Sequence, residues 1–441
     1  MSNGFTQTAL APASFRRIPW IDAVCRDLLA RTLRGIREGE ITMSDGVWAG
    51  TFGRTTPEFP VRAAVTVHAP SFYRRAVLGG SVGAGESYAD GAWTCDDLVS
   101  LVRIMARNEE ALSGMESGAA RFLGWAYRAA HGLRRNTRAG SRRTIAEHYD
   151  LGNDFYRLYL DPPMAYSCAI FERAEATLEE ASIAKFDRIA RKLRLSPAHR
   201  VLEIGCGWGG FALHAASKYG CRVVGITVSP AQHEEAARRV AEAGLSDRVE
   251  IRLQDYRDAE GTFDRVVSVE MIEAVGPGYL PAFMKVCTDR LAPDGLVLLQ
   301  AITIRDDLYD RHVRTVDFIK RHIFPGTFIP SVTAIAAAAA KGTDLRLVHL
   351  EDITPHYAET LKAWRERFRA RLHEVRSQGF PDRFARMWEY YLSYCEGSFR
   401  ERYNGNVQMI FSRPRWREAP VLPPLPAGWP VSPSHGDAPA R

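Results

Sequence analysis

At 441 residues, 46% of them apolar and 25% charged, the chain has the composition of two or three globular domains, which excludes a disordered or fibrous protein. Its seven cysteines (25, 95, 168, 206, 221, 287 and 395) form no CxxC pair and no metal-ligand spacing, so neither a disulfide framework nor a metal site is expected, and a reducing compartment fits. The net charge of +6 is local: residues 1–146 hold 19 arginines, no lysine and 13 acids, and the charges beyond them balance.

In chain order, residues 1–20 lack the apolar centre of a secretory leader and read as a flexible N-terminus. Residues 21–120 read as a small α+β domain. Val61 to Val67 alternates as a strand does, and Leu98, Leu101, Val102 and Met105 share a helical face behind an Asp96 cap. Residues 121–146 form a basic linker. From Gly118 to Ala146 there are seven arginines and no acid, with Phe122, Leu123, Trp125 and Tyr127 interleaved at the start. Such a stretch suits an anionic membrane surface, where aromatic rings sit at the interface and guanidinium groups meet phosphate; nucleic acid and a plain solvated linker are the competing readings. Of these the membrane surface is the expected partner and nucleic acid is not. No run reaches the roughly 18 apolar residues needed to span a bilayer. The expectation is therefore a cytoplasmic protein, peripheral at the inner face of the membrane, with room for a homodimer.

The domain over 147–412 alternates strands and helices. A helix from Leu178 to Leu195 opens on the capping box Thr177-x-x-Glu180 and buries Phe186, Ile189, Ala190 and Leu193. Candidate strands at 200–204, 221–226, 248–253, 264–269, 295–301, 345–350 and 406–412 make a doubly wound, mostly parallel seven-stranded α/β sheet the natural solution. Insertions interrupt it at 302–330, 351–377 and 381–403. Residues 413–441 form a Pro-rich tail with eight of the 24 prolines.

The densest signal is Val201-Leu202-Glu203-Ile204-Gly205-Cys206-Gly207-Trp208-Gly209-Gly210, a strand running into a glycine-rich turn that opens a helix. Glycines permit the tight turn and let a ligand approach backbone N–H groups at the helix N-terminus. A dinucleotide-binding fold would carry an acid at the end of the second strand. Here that strand ends in Thr227-Val228-Ser229 and the acid is Glu203, as in class I S-adenosylmethionine (SAM) methyltransferases. Thr227, Gln232, Asp255 and Tyr256 follow at the carboxyl ends of successive strands, where such sheets bind ligands. Each is also an ordinary cap or turn residue.

Further along, His148-Tyr149-Asp150-Leu151-Gly152-Asn153-Asp154-Phe155, Tyr166-Ser167-Cys168-Ala169, Leu202 to Gly210, Val223 to Thr227 and Gln254 to Asp258 together resemble the cyclopropane-fatty-acyl-phospholipid synthases. Phe72-Tyr73-Arg74-Arg75 and Gly85-Glu86-Ser87-Tyr88 are similar to that family's smaller, lipid-handling domain. The resemblance implies transfer of the SAM methyl group to the double bond of an unsaturated acyl chain in a phospholipid. It places Tyr166, Ser167, Gly205, Gly207, Thr227, Gln232, Asp255 and Tyr256 around SAM, beside Glu203. It places Cys168, Glu273, Ile302 and Cys395 at catalytic-pocket positions.

An alkene is a weak nucleophile, so such an enzyme must align it with the methyl group and shelter a carbocation from water. Tyr149, Phe155, Tyr156, Tyr166, Tyr391, Tyr394 and Phe399 are candidates for that shelter, and for the ordinary core as well. A base must then remove a proton from the added methyl group. The resemblance implies a bicarbonate ion in that role, held in part by Glu273. Two expected partners of the ion are replaced, a His by Gln300 and a Tyr by Arg365, and the His that follows the family's Glu is Ala274. Gln300 still donates a hydrogen bond and Arg365 binds anions, so both are expected at the catalytic site. Loss of a different proton would leave a methyl- or methylene-branched chain, and a small amine is a further alternative substrate.

Overall fold

The computed structural model describes residues 18–112 and 151–418; the basic linker 121–146, Tyr149 and the proline-rich tail beyond 418 lie outside them. In the N-terminal unit, strands Gly39–Ser44 (β1), Ala49–Arg54 (β2), Arg62–Val67 (β3) and Trp93–Cys95 (β4) form a sheet in the order β2-β1-β3-β4, with β1 and β3 parallel. Alternation along β3 turns Ala63, Val65 and Val67 inward, as strand geometry requires. Asp45 holds the β1–β2 turn, accepting from the N–H groups of Val47 (3.0 Å) and Trp48 (2.8 Å) and from the Tyr73 hydroxyl (2.9 Å).

Helices Trp20–Leu33, Ser71–Ala89 and Leu98–Arg107 cover this sheet. The last is capped one residue later than the sequence suggested. Asp97 accepts from the N–H groups of Val99 (3.0 Å) and Ser100 (3.2 Å), while Asp96 is drawn away to the N–H of Ala64. Its innermost side chain is Ile104, with Leu101, Val102 and Met105 half-buried.

The second sheet has seven strands: Arg200–Ile204 (β5), Arg222–Thr227 (β6), Val249–Leu253 (β7), Phe263–Val269 (β8), Leu291–Ile304 (β9), Arg346–Asp352 (β10) and Asn404–Ser412 (β11). Their order is β10-β11-β9-β8-β5-β6-β7. Strands β5 to β9 run parallel, and β11 is antiparallel to both neighbours. The fold is that of a class I SAM methyltransferase. Helix Leu178–Lys192 opens on the expected reciprocal cap between Thr177 and Glu180.

The insertions are helical, and they join the two sheets. Helix Asp382–Arg400 packs on the N-terminal helices at small residues: a Cβ at Gly397 would stand 2.7 Å from Val102, and one at Gly85 would stand 2.9 Å from Tyr390. Charged groups seal the seam. Glu401 accepts from Arg103 (2.5 Å) and Arg107 (2.6 Å), and Arg386 donates to the Tyr88 carbonyl (2.8 Å).

Candidate active site

One large cavity of about 420 Å³ opens at the carboxyl ends of β5 to β8, where a parallel sheet binds ligands. Its floor is the glycine turn. After Ile204 the chain passes through Gly205 (φ 82°) and Gly207 (φ 53°), and Gly209 (φ 81°) begins the helix Gly210–Tyr219. These left-handed conformations favour glycine. A Cβ at Gly205 would stand 2.6 Å from Met271, whereas one at Gly207 would meet no atom of the described residues within 4 Å and would enter the cavity.

All nine residues expected around the cofactor line this cavity: Tyr166, Ser167, Glu203, Gly205, Gly207, Thr227, Gln232, Asp255 and Tyr256. Their side chains are held from behind. Thr227 donates to Gln232 (2.8 Å), Asp255 receives both Nε (2.8 Å) and Nη2 (2.6 Å) of Arg257, and Ser167 accepts from the buried ammonium of Lys185 (2.7 Å). Burial pushes the Glu203 carboxyl up to about 8, against a weaker downward pull from Lys185. Among the described residues its Oε2, the Gln254 Oε1 and the Tyr256 hydroxyl find no partner, though all three are buried. Buried orphan polar atoms around a backbone cradle that a Cβ would fill suit a polar, nucleoside-like group such as SAM.

The far end is aromatic. Tyr166, Tyr391, Tyr394 and Phe399 line it, and the hydroxyls of Tyr166 and Tyr391 meet at 2.9 Å. Phe155 and Tyr156 are fully buried and lie behind this wall as core. Cys395 lines the cavity as a neutral thiol, since burial raises its pKa far above the usual range. Glu273 accepts the N–H of Ile302 (2.6 Å) on Oε1, and its buried Oε2 has no partner among the described residues. Burial first, and the charge of Glu270 second, push its carboxyl up to about 8. At neutral pH it is therefore largely a protonated acid, able to donate a hydrogen bond into the cavity.

Three expected catalytic residues do not reach the cavity wall. Cys168 is fully buried, with its thiol directed at backbone carbonyls. Arg365 is paired with Glu396 at 2.8 Å, so its charge is spent there. Gln300 is completely buried, and its amide donates to Glu270 (2.9 Å) and the Cys168 carbonyl (3.2 Å) while accepting from Gln408 (2.9 Å). These positions are corrections to the sequence reading.

Glu270 itself escaped that reading. It follows β8 with a left-handed backbone (φ 49°) and lines the cavity. Its Oε1 accepts from the Cys168 N–H (2.9 Å), Gln300 Nε2 (2.9 Å) and Asn406 Nδ2 (2.6 Å), and its Oε2 accepts from the Tyr357 hydroxyl (2.8 Å). Of the donors expected to hold bicarbonate, Gln300 is committed to Glu270 and Arg365 to Glu396, and the residues present do not fit a separate ion at that point. A signal was available: Glu270 stands at a strand's carboxyl end, three residues before Glu273. Tyr357 gave none, being one aromatic residue in a helical insertion.

A family model for mycolic acid cyclopropane synthetase matches residues 136–409. The chain is 40% identical to a cyclopropane-fatty-acyl-phospholipid synthase of Escherichia coli, over 80% of this chain and 88% of that protein. It is 38% identical to the tuberculostearic acid methyltransferase UfaA1 of Mycobacterium tuberculosis, over 86% of this chain and 89% of that one. Among solved structures, the mycolic acid cyclopropane synthase CmaA1 complexed with SAH and CTAB superposes with a TM-score of 0.58 at 31% identity, covering 62% of this chain and 98% of that one.

Proposed function

Because the chain belongs to the mycolic acid cyclopropane synthetase family, we propose that it transfers the methyl group of SAM to the double bond of an unsaturated acyl chain of a phospholipid and closes a cyclopropane ring there. The protein is a SAM-dependent methyltransferase. One observation carries the acyl-chain reading: a single cavity joins the polar glycine-turn end to an apolar, aromatic end of the kind a hydrocarbon needs. When bound, SAM supplies an electrophilic methyl group. The chain's own residues do the rest. Gly205 and Gly207 leave room for the cofactor, Tyr166, Tyr391 and Phe399 exclude water from the reacting carbons, and rings near a desolvated cation contribute roughly 2 kcal/mol. Glu273, protonated at neutral pH, orients what stands beside it. Mass spectrometry of lipids from a host fed methyl-labelled methionine tests the proposal; an expressing host should add one labelled methylene unit to its unsaturated acyl chains. An unlabelled lipid fraction alongside a labelled small metabolite would overturn it.

A second product, a methyl- or methylene-branched chain, is favoured by the similarity to UfaA1 and by the Glu270 carboxylate that takes up the donor Gln300. The same spectra separate the two, because a ring and a branch fragment differently.

The substrate's location implies contact with a lipid surface. No described helix is long and apolar enough to cross a membrane. Trp20 (78% exposed), Val24 (50%) and Leu28 (45%) recur every fourth residue on one helix, so they form one exposed apolar stripe. That stripe and the arginines of 121–146 support peripheral binding at an anionic inner face. Replacing Arg134, Arg135, Arg138, Arg142 and Arg143 by Gln should weaken binding to anionic vesicles by about 1 kcal/mol per residue near the surface at low salt. Equal co-sedimentation of the variant would remove the linker from this role.

A further inference from the structure

We propose that Glu270 is the base of the reaction, its carboxylate standing in the position that the resemblance assigns to a bound bicarbonate. The inference rests on the acyl-methylation reading above. A carboxylate and bicarbonate share the planar pair of oxygens that such a base presents, and the surroundings of Glu270 are those of an anion site. Four donors from segments far apart in sequence converge on it: the Cys168 N–H, Gln300, Asn406 and the Tyr357 hydroxyl, all at 2.6–2.9 Å. Gln300 is one of the positions expected to serve the ion, and Cys168 is one expected in the catalytic pocket. Oε1 is saturated by three of these donors. Among the described residues Oε2 accepts only from Tyr357, which leaves it a lone pair, and Glu270 lines the cavity.

The backbone supports the same assignment. A non-glycine residue is held at φ 49° only where its surroundings insist on it, and such strain clusters at functional sites. Tyr357 stays protonated, since burial raises its pKa well above the ordinary value, so it serves as a fixed donor. In the step itself, a C–H bond of the added methyl group breaks. Its electron pair forms the last ring bond to the cationic carbon, and the proton goes to Oε2 of Glu270. The neutral acid then returns that proton to water as product leaves.

The test compares the wild-type protein with Glu270→Gly, which leaves an anion-sized gap ringed by the same donors. Each is titrated with isotope-labelled bicarbonate by NMR and assayed for lipid methylation in carbonate-free buffer. The wild type should show no saturable bicarbonate binding and no response of turnover to added bicarbonate. Glu270→Gly should lose roughly 10²-fold or more in turnover, the scale of a lost general base, bind bicarbonate saturably, and regain turnover with bicarbonate or formate. Saturable binding to the wild type, or wild-type turnover that collapses without bicarbonate, overturns the proposal. Should the glycine variant fail to fold, Tyr357→Phe removes only the bond to Oε2. It should keep SAM affinity by calorimetry and lower kcat with KM unchanged, and an unaltered kcat overturns the proposal as well. Failure of the acyl reading is visible separately, as absence of labelled lipid from the wild type, and the bicarbonate titration still decides which carboxylate holds the position.

Discussion

The two ends of the cavity are built differently. Apart from Tyr166 and Ser167, the cofactor end is assembled from three short stretches, 203–210, 227–232 and 254–256, each at the carboxyl end of a parallel strand, and its defining features are backbone conformations. The reacting end is assembled from single side chains on the loop after β8, on strands β9 and β11 and on the helix Thr354–Ala370: Glu270, Gln300, Asn406 and Tyr357 share no stretch of chain. A site made from turns can be written in a motif. One made from converging donors is written only in the fold, and there one changed side chain can replace an ion.

If this division is real, damage to the glycine turn should abolish cofactor binding without touching the carboxylate network. Gly207→Val is the largest effect expected. Its Cβ meets no atom of the described residues within 4 Å, so the fold survives, although a left-handed φ costs an L-residue about 1–2 kcal/mol. SAM affinity measured by calorimetry should disappear, and lipid product with it. A folded variant with wild-type affinity would show that the cofactor lies elsewhere.

Glu273→Gln attacks the other end. The amide oxygen can still accept the Ile302 N–H, so SAM affinity should hold, while lipid product falls by less than the roughly 10²-fold of a lost base, because Glu273 orients the site and Glu270 takes the proton. A parallel loss of SAM affinity would merge the two ends into one functional unit.

The same division explains what could be read in advance. All seven strands of the large sheet were legible because apolar runs alternate with capped helices, and Glu203, Thr227 and Asp255 followed from their places at strand ends. Gln300 and Arg365 were misplaced because sequence shows the residue type but not which partner consumes it; Glu396 and Glu270 do so here. The cap at Asp97 was missed by one residue because two adjacent aspartates compete, and only tertiary pairing with Ala64 assigns Asp96 elsewhere.

A smaller effect is expected from Gln300→Leu. The substitution strands the Cys168 carbonyl and the Gln408 amide and removes one donor from Glu270, and each buried group left unpaired costs about 1–3 kcal/mol. Denaturant melts should show that loss while SAM affinity stays put. A variant as stable as the wild type would mean that water or a neighbouring side chain takes over these bonds.

The smallest effect concerns pH and separates the ends by their acids. Glu203 in the cofactor end is held at about 8 in the folded protein against an ordinary 4.5, chiefly by burial. Above pH 4.5 the unfolded chain therefore releases a proton that the folded protein keeps, so this group's contribution to stability is complete below 4.5 and is lost as pH rises towards 8. Glu273, also near 8, acts in the same direction. The buried His312 and His356, both lowered to about 4 by burial, act oppositely between 4 and 6.5, because there the unfolded chain binds more protons. The two acids consequently dominate from pH 6.5 up towards 8, where Lys192 and Lys320, both lowered to about 8 by burial, begin to act oppositely. Across that range the ligand-free protein should lose a few degrees of Tm, since about 1 kcal/mol moves a domain's midpoint by about 2–4 °C. Glu203→Gln should flatten that slope and leave the histidine-driven rise at lower pH intact, as calorimetric scans at matched ionic strength would show. An unchanged slope in the variant would assign the whole effect to the reacting end, with Glu203 ionised throughout by the nearby ammonium of Lys185.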